Sequence, residues 1–399
     1  MAETKIKVEN VYKIFGPHPE RGIEPLQQGK GKEEVMEEYK LSVGVNNVSF
    51  EVKEGEILVI MGLSGSGKST LVRCINRLIE PTAGKIYVGG DEITQLDEDG
   101  LRKMRLKHFG MVFQNFALFP HRTVLQNVGY GLEIQGVEME ERKRRSQEAL
   151  EQVGLKGWGD SYPSQLSGGM QQRVGLARAL ALDSDIMLMD EAFSALDPLI
   201  RRDMQDELIE LQSRMQKTIV FISHDLDEAL KLGDRIILMK DGYVVQEGTA
   251  EEILTKPADE YVAKFVEDVD MSKVLTAETV MKHSEALANW RTDGPRAALR
   301  KMRKAGISSI FVVEDSNHIV GVVMAEEAAK AVENGDKTLE NILIRDVKTV
   351  ATDVPAHELF AELSEIPYPL AVVDEEKRLR GVIVRGTILA ALSDRGVVE

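Results

Sequence analysis

The stretch EILVIMGLSGSGKST, residues 56 to 70, constrains the fold more tightly than any other part of the chain. Its unbroken apolar run matches a short strand buried on both faces, which requires a parallel sheet covered by helices. The run ends in Gly62-x4-Gly67-Lys68-Ser69, the spacing of a phosphate-binding loop. Glycines let the backbone curl until successive amides point at phosphate oxygens, and the helix that follows adds positive potential at its N-terminus. Lys68 is placed to reach the β and γ phosphates and Ser69 to ligate Mg2+. Gly62, Ser64, Gly65, Ser66, Gly67, Lys68, Ser69 and Thr70 thus form the expected ATP-binding set.

Two further apolar runs fit the same sheet. IMLMDE, residues 186 to 191, reads as a central parallel strand ending in two carboxylates. Asp190 is expected to hold the metal through water and Glu191 to polarise a water for attack on the γ phosphate. TIVFI, residues 218 to 222, leads into Ser223-His224-Asp225, which offers His224 as a hydrogen-bond partner for that phosphate.

Together GLSGSGKST, Gln114 after the apolar MVF, LSGGMQQR at 166 to 173, IMLMDE, SALD at 194 to 197 and His224 resemble the ATPase cassette of the ATP-binding cassette superfamily, over roughly residues 3 to 250. The resemblance implies that Ser167, Gly168 and Gly169 bind the γ phosphate of an ATP held by the opposite protomer, so the working unit is a homodimer. It also implies that Gln114 belongs to both the catalytic and the metal-binding sets and that Asp197 contacts the partner. Phe15 is implied as the ring under the adenine, with Tyr12 a second candidate. Met170 stands where this family's signature more often has glutamine, which leaves the phosphate-contacting residues intact.

A cassette alone does not decide what the motor drives. At 399 residues the chain is long enough for at least two domains. Its formal net charge of −16 argues against a nucleic-acid binder that works by neutralising phosphates. The single cysteine, Cys74, fits a reducing compartment and a helix-packing role. The opening MAETKIKVENVYKIFG lacks a secretion signal, and no apolar run approaches the roughly 20 residues of a membrane-spanning helix. A peripheral location on the cytoplasmic face of the membrane is expected.

A finer resemblance spans nearly the whole chain. YKIFG, the insertion HPERGIEPLQQGKGKEEVMEEYKLSVG, VIMGLSGSGKSTLVRCINRLIEPTAGKI, FALFPHRTV, MDEAFSALDPLIRRDMQDEL and FISHDLDEA are similar to the ATPase subunits of glycine betaine and proline betaine importers. That family implies two transmembrane permease subunits, an extracytoplasmic betaine-binding protein or domain, and a docking groove near Phe116, Leu118 and Phe119. By its own chemistry the insertion reads as a charged, solvated excursion with a helical KEEVMEEY. The competing reading is a soluble regulator that dimerises on ATP without transport, or an importer of another small polar solute.

The tail repeats itself at an offset of sixty, pairing Leu299 with Leu359, Ile310 with Leu370, Val312 with Val372, Gly321 with Gly381 and Val323 with Ile383. One such unit is too small to bury its own sheet, and two can pack together. The pattern resembles tandem CBS domains, paired regulatory modules that often bind adenosine-containing ligands. Where ligand-binding repeats carry Ser or Thr and then Asp, this chain has Met324 and Glu327, then Val384 and Thr387. That disfavours a mononucleotide and leaves a cyclic dinucleotide as the candidate ligand. RAALRKMRK at 296 to 304 and EKRLR at 376 to 380 are candidates for contact with anionic lipid. Salt would weaken such contact, because the Debye length falls from about 10 Å at 0.1 M to about 3 Å at 1 M.

The expected architecture is an α/β, ABC-type P-loop ATPase cassette followed by a smaller α+β tandem CBS module. The cassette occupies 1–255, with the insertion at 16–44 and a helical subdomain at about 115–175. A helical linker at 256–274 leads to the module at 275–399, with repeats at about 275–335 and 336–395.

Overall fold

The computed structural model describes residues 3–267, 275–283 and 286–387, which fall into two compact units divided between residues 267 and 268. In the first unit, β1 (Thr4–Phe15) leads through the short helices α1 (Ile23–Gln27) and α2 (Lys32–Tyr39) to β2 (Ser42–Lys53). Then come β3 (Ile57–Met61), α3 (Lys68–Ile75), β4 (Ala83–Val88), β5 (Asp91–Glu92), α4 (Glu98–His108) and β6 (Phe109–Phe113). The region 115–175 contributes α5 (Val124–Val128), α6 (Tyr130–Ile134), α7 (Met139–Gln152) and the start of α8 (Gly168–Ala181). The chain returns through β7 (Ile186–Asp190), α9 (Pro198–Met215), β8 (Thr218–Ile222), α10 (Leu226–Leu232), β9 (Arg235–Lys240), β10 (Tyr243–Gly248), α11 (Ala250–Thr255) and α12 (Glu260–Phe265).

The strands form a four-stranded antiparallel sheet, β2-β1-β4-β5, and a six-stranded sheet, β10-β9-β3-β8-β7-β6. Every residue of β3, β7 and β8 is buried, and alternate residues serve opposite faces. Ile57, Val59 and Met61 join the core with Leu176 of α8 and Met204 of α9, whereas Leu58 and Ile60 join the core with Leu71 and Ile75 of α3. That two-sided burial is why these strands read as unbroken apolar runs. Cys74 is fully buried on α3, and burial pushes its thiol up to about 12.

The insertion departs from its expected character. It is not a solvated excursion: Leu26, Val35 and Leu41 are buried with Tyr12 and Ile14 in a small core of their own. In the connector, helix α12 spans Glu260–Phe265, with Pro257 ahead of it; residues 268–274 of the expected linker lie outside the described residues. The β9–β10 hairpin turns at Asp241 (φ 50°) and Gly242 (φ 89°), a left-handed pair that the Asp-Gly sequence favours.

In the second unit, α13 (Ala277–Val280), β11 (Leu287–Asn289), α14 (Pro295–Ala305), β12 (Ser309–Val313), β13 (Ile319–Met324) and α15 (Ala325–Asn334) are followed by β14 (Thr349–Ala351), α16 (Ala356–Glu365), β15 (Leu370–Val373) and β16 (Leu379–Ile383). The two three-stranded sheets have the same ladder sixty residues apart. Val312 pairs with Gly321 as Val372 pairs with Gly381, and each ladder slips at the next residue, Val313 or Val373. Phe311, Val313 and Val322 of one sheet bury against Ala371 and Leu379 of the other and against Tyr368, just before β15.

Sequence order and spatial membership differ. Leu275, Ala277 and Val280 pack with Leu359, Leu370 and Ile383 of the second repeat, and Lys282 bridges to Val382. Conversely, Leu339 packs with the first repeat and Ile344 bridges to Val322. The closing part of the second repeat, 388–395, lies outside the described residues.

Candidate active site

Four parallel strands stop at one level. Ile60, Ile222, Asp190 and Phe113 lie in one row across β3, β8, β7 and β6, so the phosphate loop, His224, Glu191 and Gln114 all emerge just beyond it. This is the carboxyl edge at which open α/β sheets bind ligands.

The loop itself is tightly packed from behind. A Cβ on Gly62 (φ +143°) would lie 2.2 Å from the Met239 carbonyl oxygen, and one on Gly67 (φ +101°) 2.1 Å from that of Gly44. Only glycine satisfies both the left-handed backbone and the close approach. Lys68 is buried, and its ammonium donates to the carbonyls of Gly62 (2.7 Å) and Leu63 (3.1 Å). Desolvation lowers its pKa, opposed by the nearby charges of Glu191 and Asp190. The Ser66 hydroxyl is buried with no hydrogen-bond partner. Ser64 is exposed on the loop, and Thr70 lies close to Phe15 on either side of Gly44.

Ser69 Oγ donates to Asp190 Oδ1 at 2.8 Å, and Arg73 Nη2 donates to Asp190 Oδ2 at 3.0 Å. One residue on, Glu191 (φ +48°) turns its carboxylate outward. Gln114 Nε2 donates to Glu191 Oε2 at 3.1 Å and to Ser194 Oγ at 3.2 Å, while His224 Nδ1 lies 3.5 Å from the same carboxylate oxygen. The three residues of the expected catalytic set therefore meet at one carboxylate. An orphaned hydroxyl, a lysine whose ammonium hydrogen-bonds to carbonyls, and a serine–carboxylate pair fit a triphosphate with a hard, oxygen-ligated cation such as Mg2+. Among the described residues no cluster of three or more His, Cys, Asp or Glu side chains gathers to hold a metal.

Phe15 is 40% exposed with Lys13 Nζ 4.8 Å from its ring centroid, open for stacking. Tyr12 is only 5% exposed, inside the insertion's core, and does not offer a ring face. Ser167, Gly168 and Gly169 open α8, where Ser167 Oγ accepts from Met170 N at 3.4 Å, and Ser167 and Gly168 are exposed. Asp197 caps α9 by accepting from Ile200 N at 3.1 Å. Phe116 and Leu118 pack on the cassette core, while Phe119 meets Tyr130 in a tilted ring contact at 4.6 Å; much of this apolar cluster is subdomain packing.

Several side chains around the site carry no local signal. Arg178 of α8 donates to the carbonyls of Ala117 (2.6 Å) and Phe116 (3.1 Å), holding two left-handed residues just after Gln114. Arg201 donates to the carbonyls of Phe193, Ser194 and Leu196 and pairs with Asp225. Glu228 is buried, accepting from Gln205 and Ser223 directly behind His224. Arg201, in MDEAFSALDPLIRRDMQDEL, and Glu228, in FISHDLDEA, lie within phrases that draw notice, but nothing in those phrases singles them out.

In the second unit a cavity of about 590 Å3 lies between the repeats, with His283, Phe311, Val384 and Thr387 in its wall. Thr387 Oγ1 donates to the Val384 carbonyl at 2.7 Å and accepts from its amide, and Glu327 pairs with Lys330. On α14, Arg296, Arg300, Arg303 and Lys304 are exposed, but Lys301 does not belong to that face: its ammonium holds Asp293 (2.7 Å) and the Leu287 carbonyl (2.9 Å). In EKRLR, Arg378 is taken up by Asp374 and Glu376.

Residues 45–194 match the ABC transporter family model, and residues 291–334 and 339–394 the CBS domain model. The chain is 57% identical to the glycine betaine/carnitine transport ATP-binding protein GbuA of Listeria monocytogenes, over 99% of both chains. It is 57% identical to the glycine betaine transport ATP-binding protein OpuAA of Bacillus subtilis over 98% of this chain and 92% of that one. To the glycine betaine/proline betaine transport system ATP-binding protein ProV of Escherichia coli it is 48% identical over 98% of both. A solved dimer of the ATP-binding cassette MJ0796, in a post-hydrolysis state bound to ADP and Pi, is 36% identical with a TM-score of 0.52, covering 61% of this chain and 98% of its own. No helix among the described residues is long and apolar enough to cross a membrane. With its P-loop, signature and paired tail accounted for along nearly the full length, the chain belongs to the ABC transporter ATPases, in the family of betaine-transport ATP-binding subunits that carry tandem CBS domains.

Proposed function

We propose that this chain is the ATP-hydrolysing subunit powering import of glycine betaine or a related quaternary amine, and that its CBS tail restrains the motor until osmotic stress releases it. The observation that carries the motor half is the convergence of Gln114 and His224 on the Glu191 carboxylate, level with the phosphate loop. The substrate half is supported by relatives matched end to end whose names specify betaine transport.

In this reading Lys68 and the loop amides hold the β and γ phosphates, and Phe15 stacks under the adenine. Ser69, with Asp190 through water and Gln114, would hold Mg2+, which supplies charge neutralisation to the phosphates when bound. Glu191 takes the proton from the attacking water, His224 donates to the γ phosphate, and Gln114 orients the Glu191 carboxylate. Ser167, Gly168 and Gly169, at the start of α8, complete the site of a second copy, with Asp197 beside that interface. ATP thus closes a homodimer and hydrolysis reopens it. The motion passes through the segment after Gln114 to two permease subunits served by a betaine-binding protein or domain, which places the chain at the cytoplasmic face of the membrane. The exposed basic face of α14 is the candidate for anionic lipid, and the cleft between repeats, or a cleft between paired tails, for a cyclic dinucleotide.

The deciding experiment is ATP hydrolysis by the complex in anionic liposomes, with and without glycine betaine, at low and high internal salt. Turnover stimulated by betaine only at high salt is expected. Turnover indifferent to both would leave an ATPase but remove the osmoregulated importer.

A further inference from the structure

Two segments that the nucleotide chemistry leaves unexplained, the insertion and helix α12, meet at one place, the turn between β9 and β10. Gly242 N donates to the Ser66 carbonyl of the phosphate loop at 3.0 Å, and its own carbonyl accepts from Asn46 N at 2.7 Å. Met239, just before the turn, is the residue against which Gly62 packs without room for a Cβ. Residues 239 to 242 are therefore the outer wall of the phosphate loop.

That wall is held from two sides. On one, Lys32 of the insertion helix α2 pairs with Asp241. On the other, Lys240 Nζ sits 4.7 Å from the ring centroid of Tyr261 on α12. The Tyr261 hydroxyl is buried and faces the main chain at Leu63, whose carbonyl accepts from Lys68 Nζ and Ser66 N. Helix α12 is itself anchored: Gln246 of β10 donates to the Lys256 carbonyl and accepts from Ala258 N, and Val262 is fully buried in the cassette core.

We propose that Lys32 and Tyr261 are positioning residues for the phosphate-binding loop, holding the β9–β10 turn against it from the insertion and from the post-cassette helix. A loop already held in its bound shape loses less conformational freedom when it binds phosphate. The loop amides hold the phosphates in the ground and transition states alike, so loosening the wall weakens ATP binding while kcat at saturation stays close to its original value. The proposal rests only on ATP binding and is independent of the transported solute.

The test uses the purified full-length chain, titrated with a fluorescent ATP analogue and assayed for hydrolysis. Tyr261→Ala is expected to weaken nucleotide binding ~3- to 30-fold, the scale of a partly desolvated cation–π contact, and Tyr261→Phe, which keeps the ring, to restore it. Lys32→Asp and Asp241→Lys are each expected to weaken binding by about 2- to 5-fold, as suits an exposed pair, and the double swap to recover it. Those side chains are 35% and 41% exposed, so the swaps carry the test even where Tyr261→Ala fails to fold. Affinities within about twofold of the parent in every folded single variant would overturn the proposal, as would a loss in kcat at unchanged affinity or a double swap that does not recover.

Discussion

Replacing Arg178 with alanine should disable hydrolysis without touching the phosphate loop. Its guanidinium makes hydrogen bonds of 2.6 and 3.1 Å to the carbonyls of Ala117 and Phe116. Both residues are left-handed, at φ 49° and 56°, three and two positions after Gln114. Each left-handed non-glycine residue stores about 1–2 kcal/mol, roughly 2–4 in total. Each charge-assisted bond returns about 1.5–3 kcal/mol, roughly 3–6 for the pair. At the midpoints of these ranges the arginine holds the strain with a surplus of only about 1.5 kcal/mol, and its removal tips the loop toward relaxation. Gln114 then loses its placement on Glu191, where a shift of about 1 Å is worth about 100-fold in rate. The expected result for Arg178→Ala is turnover reduced ~10- to 100-fold at saturating ATP, with nucleotide affinity within about twofold of the parent. Arg178→Lys, which cannot span two carbonyls, should fall between. Steady-state hydrolysis and nucleotide titration on the same preparation decide the matter. A variant with parental turnover would mean that the segment after Gln114 stands without this arginine, and the reasoning fails.

Glu191→Gln retains an oxygen that accepts from Gln114 but cannot take a proton, so hydrolysis should fall ~100- to 10,000-fold with ATP binding preserved; turnover above a tenth of the parent's would exclude the assigned role. Glu228→Gln tests the buried carboxyl behind His224. Burial raises its pKa above the ordinary 4.5, with hydrogen bonds from Ser223 and Gln205 opposing. The folded state therefore holds the proton more tightly, and the associated stability is complete below that ordinary value and lost as pH rises through the raised one. Melting temperatures of parent and variant should diverge in the variant's favour from near pH 4.5 upward; parallel curves would contradict this. Reversing Arg300, Arg303 and Lys304 together, with Lys301 left in place to hold Asp293, should shift the salt concentration at which reconstituted transport switches on. An unmoved activation curve would remove lipid contact by α14 as the sensor.

The phosphate loop was legible because its chemistry allows few residues. Gly62 and Gly67 are demanded by backbone conformation and by carbonyls 2.2 and 2.1 Å from an absent Cβ, so they stand at fixed spacing beside Lys68 and Ser69. The buried strands were legible for a similar reason, since β3, β7 and β8 bury every residue and carry polar side chains only at their ends, Asp190 and Thr218. In the tail, an offset of sixty in sequence became two ladders in the same register, down to the shared slip after Val312 and Val372.

What escaped the sequence are the supports, and the reason is physical. Arg178 reaches a loop 61 residues away and Tyr261 meets Lys240; each needs only a charge or ring of suitable reach, which many residues at many spacings provide. The insertion shows the same ambiguity at the scale of a segment. Its composition is that of a solvated loop, yet three apolar residues, Leu26, Val35 and Leu41, suffice to seat it on Tyr12 and Ile14. Their spacing follows neither helix nor strand because Leu26 lies on α1, Val35 on α2 and Leu41 in the link to β2. Once seated, the insertion brings Lys32 to Asp241 and so to the wall of the phosphate loop. The residues that touch phosphate are thus dictated by the ligand and appear as a motif, whereas those that keep the motif in shape are dictated by whatever else this chain folds against it.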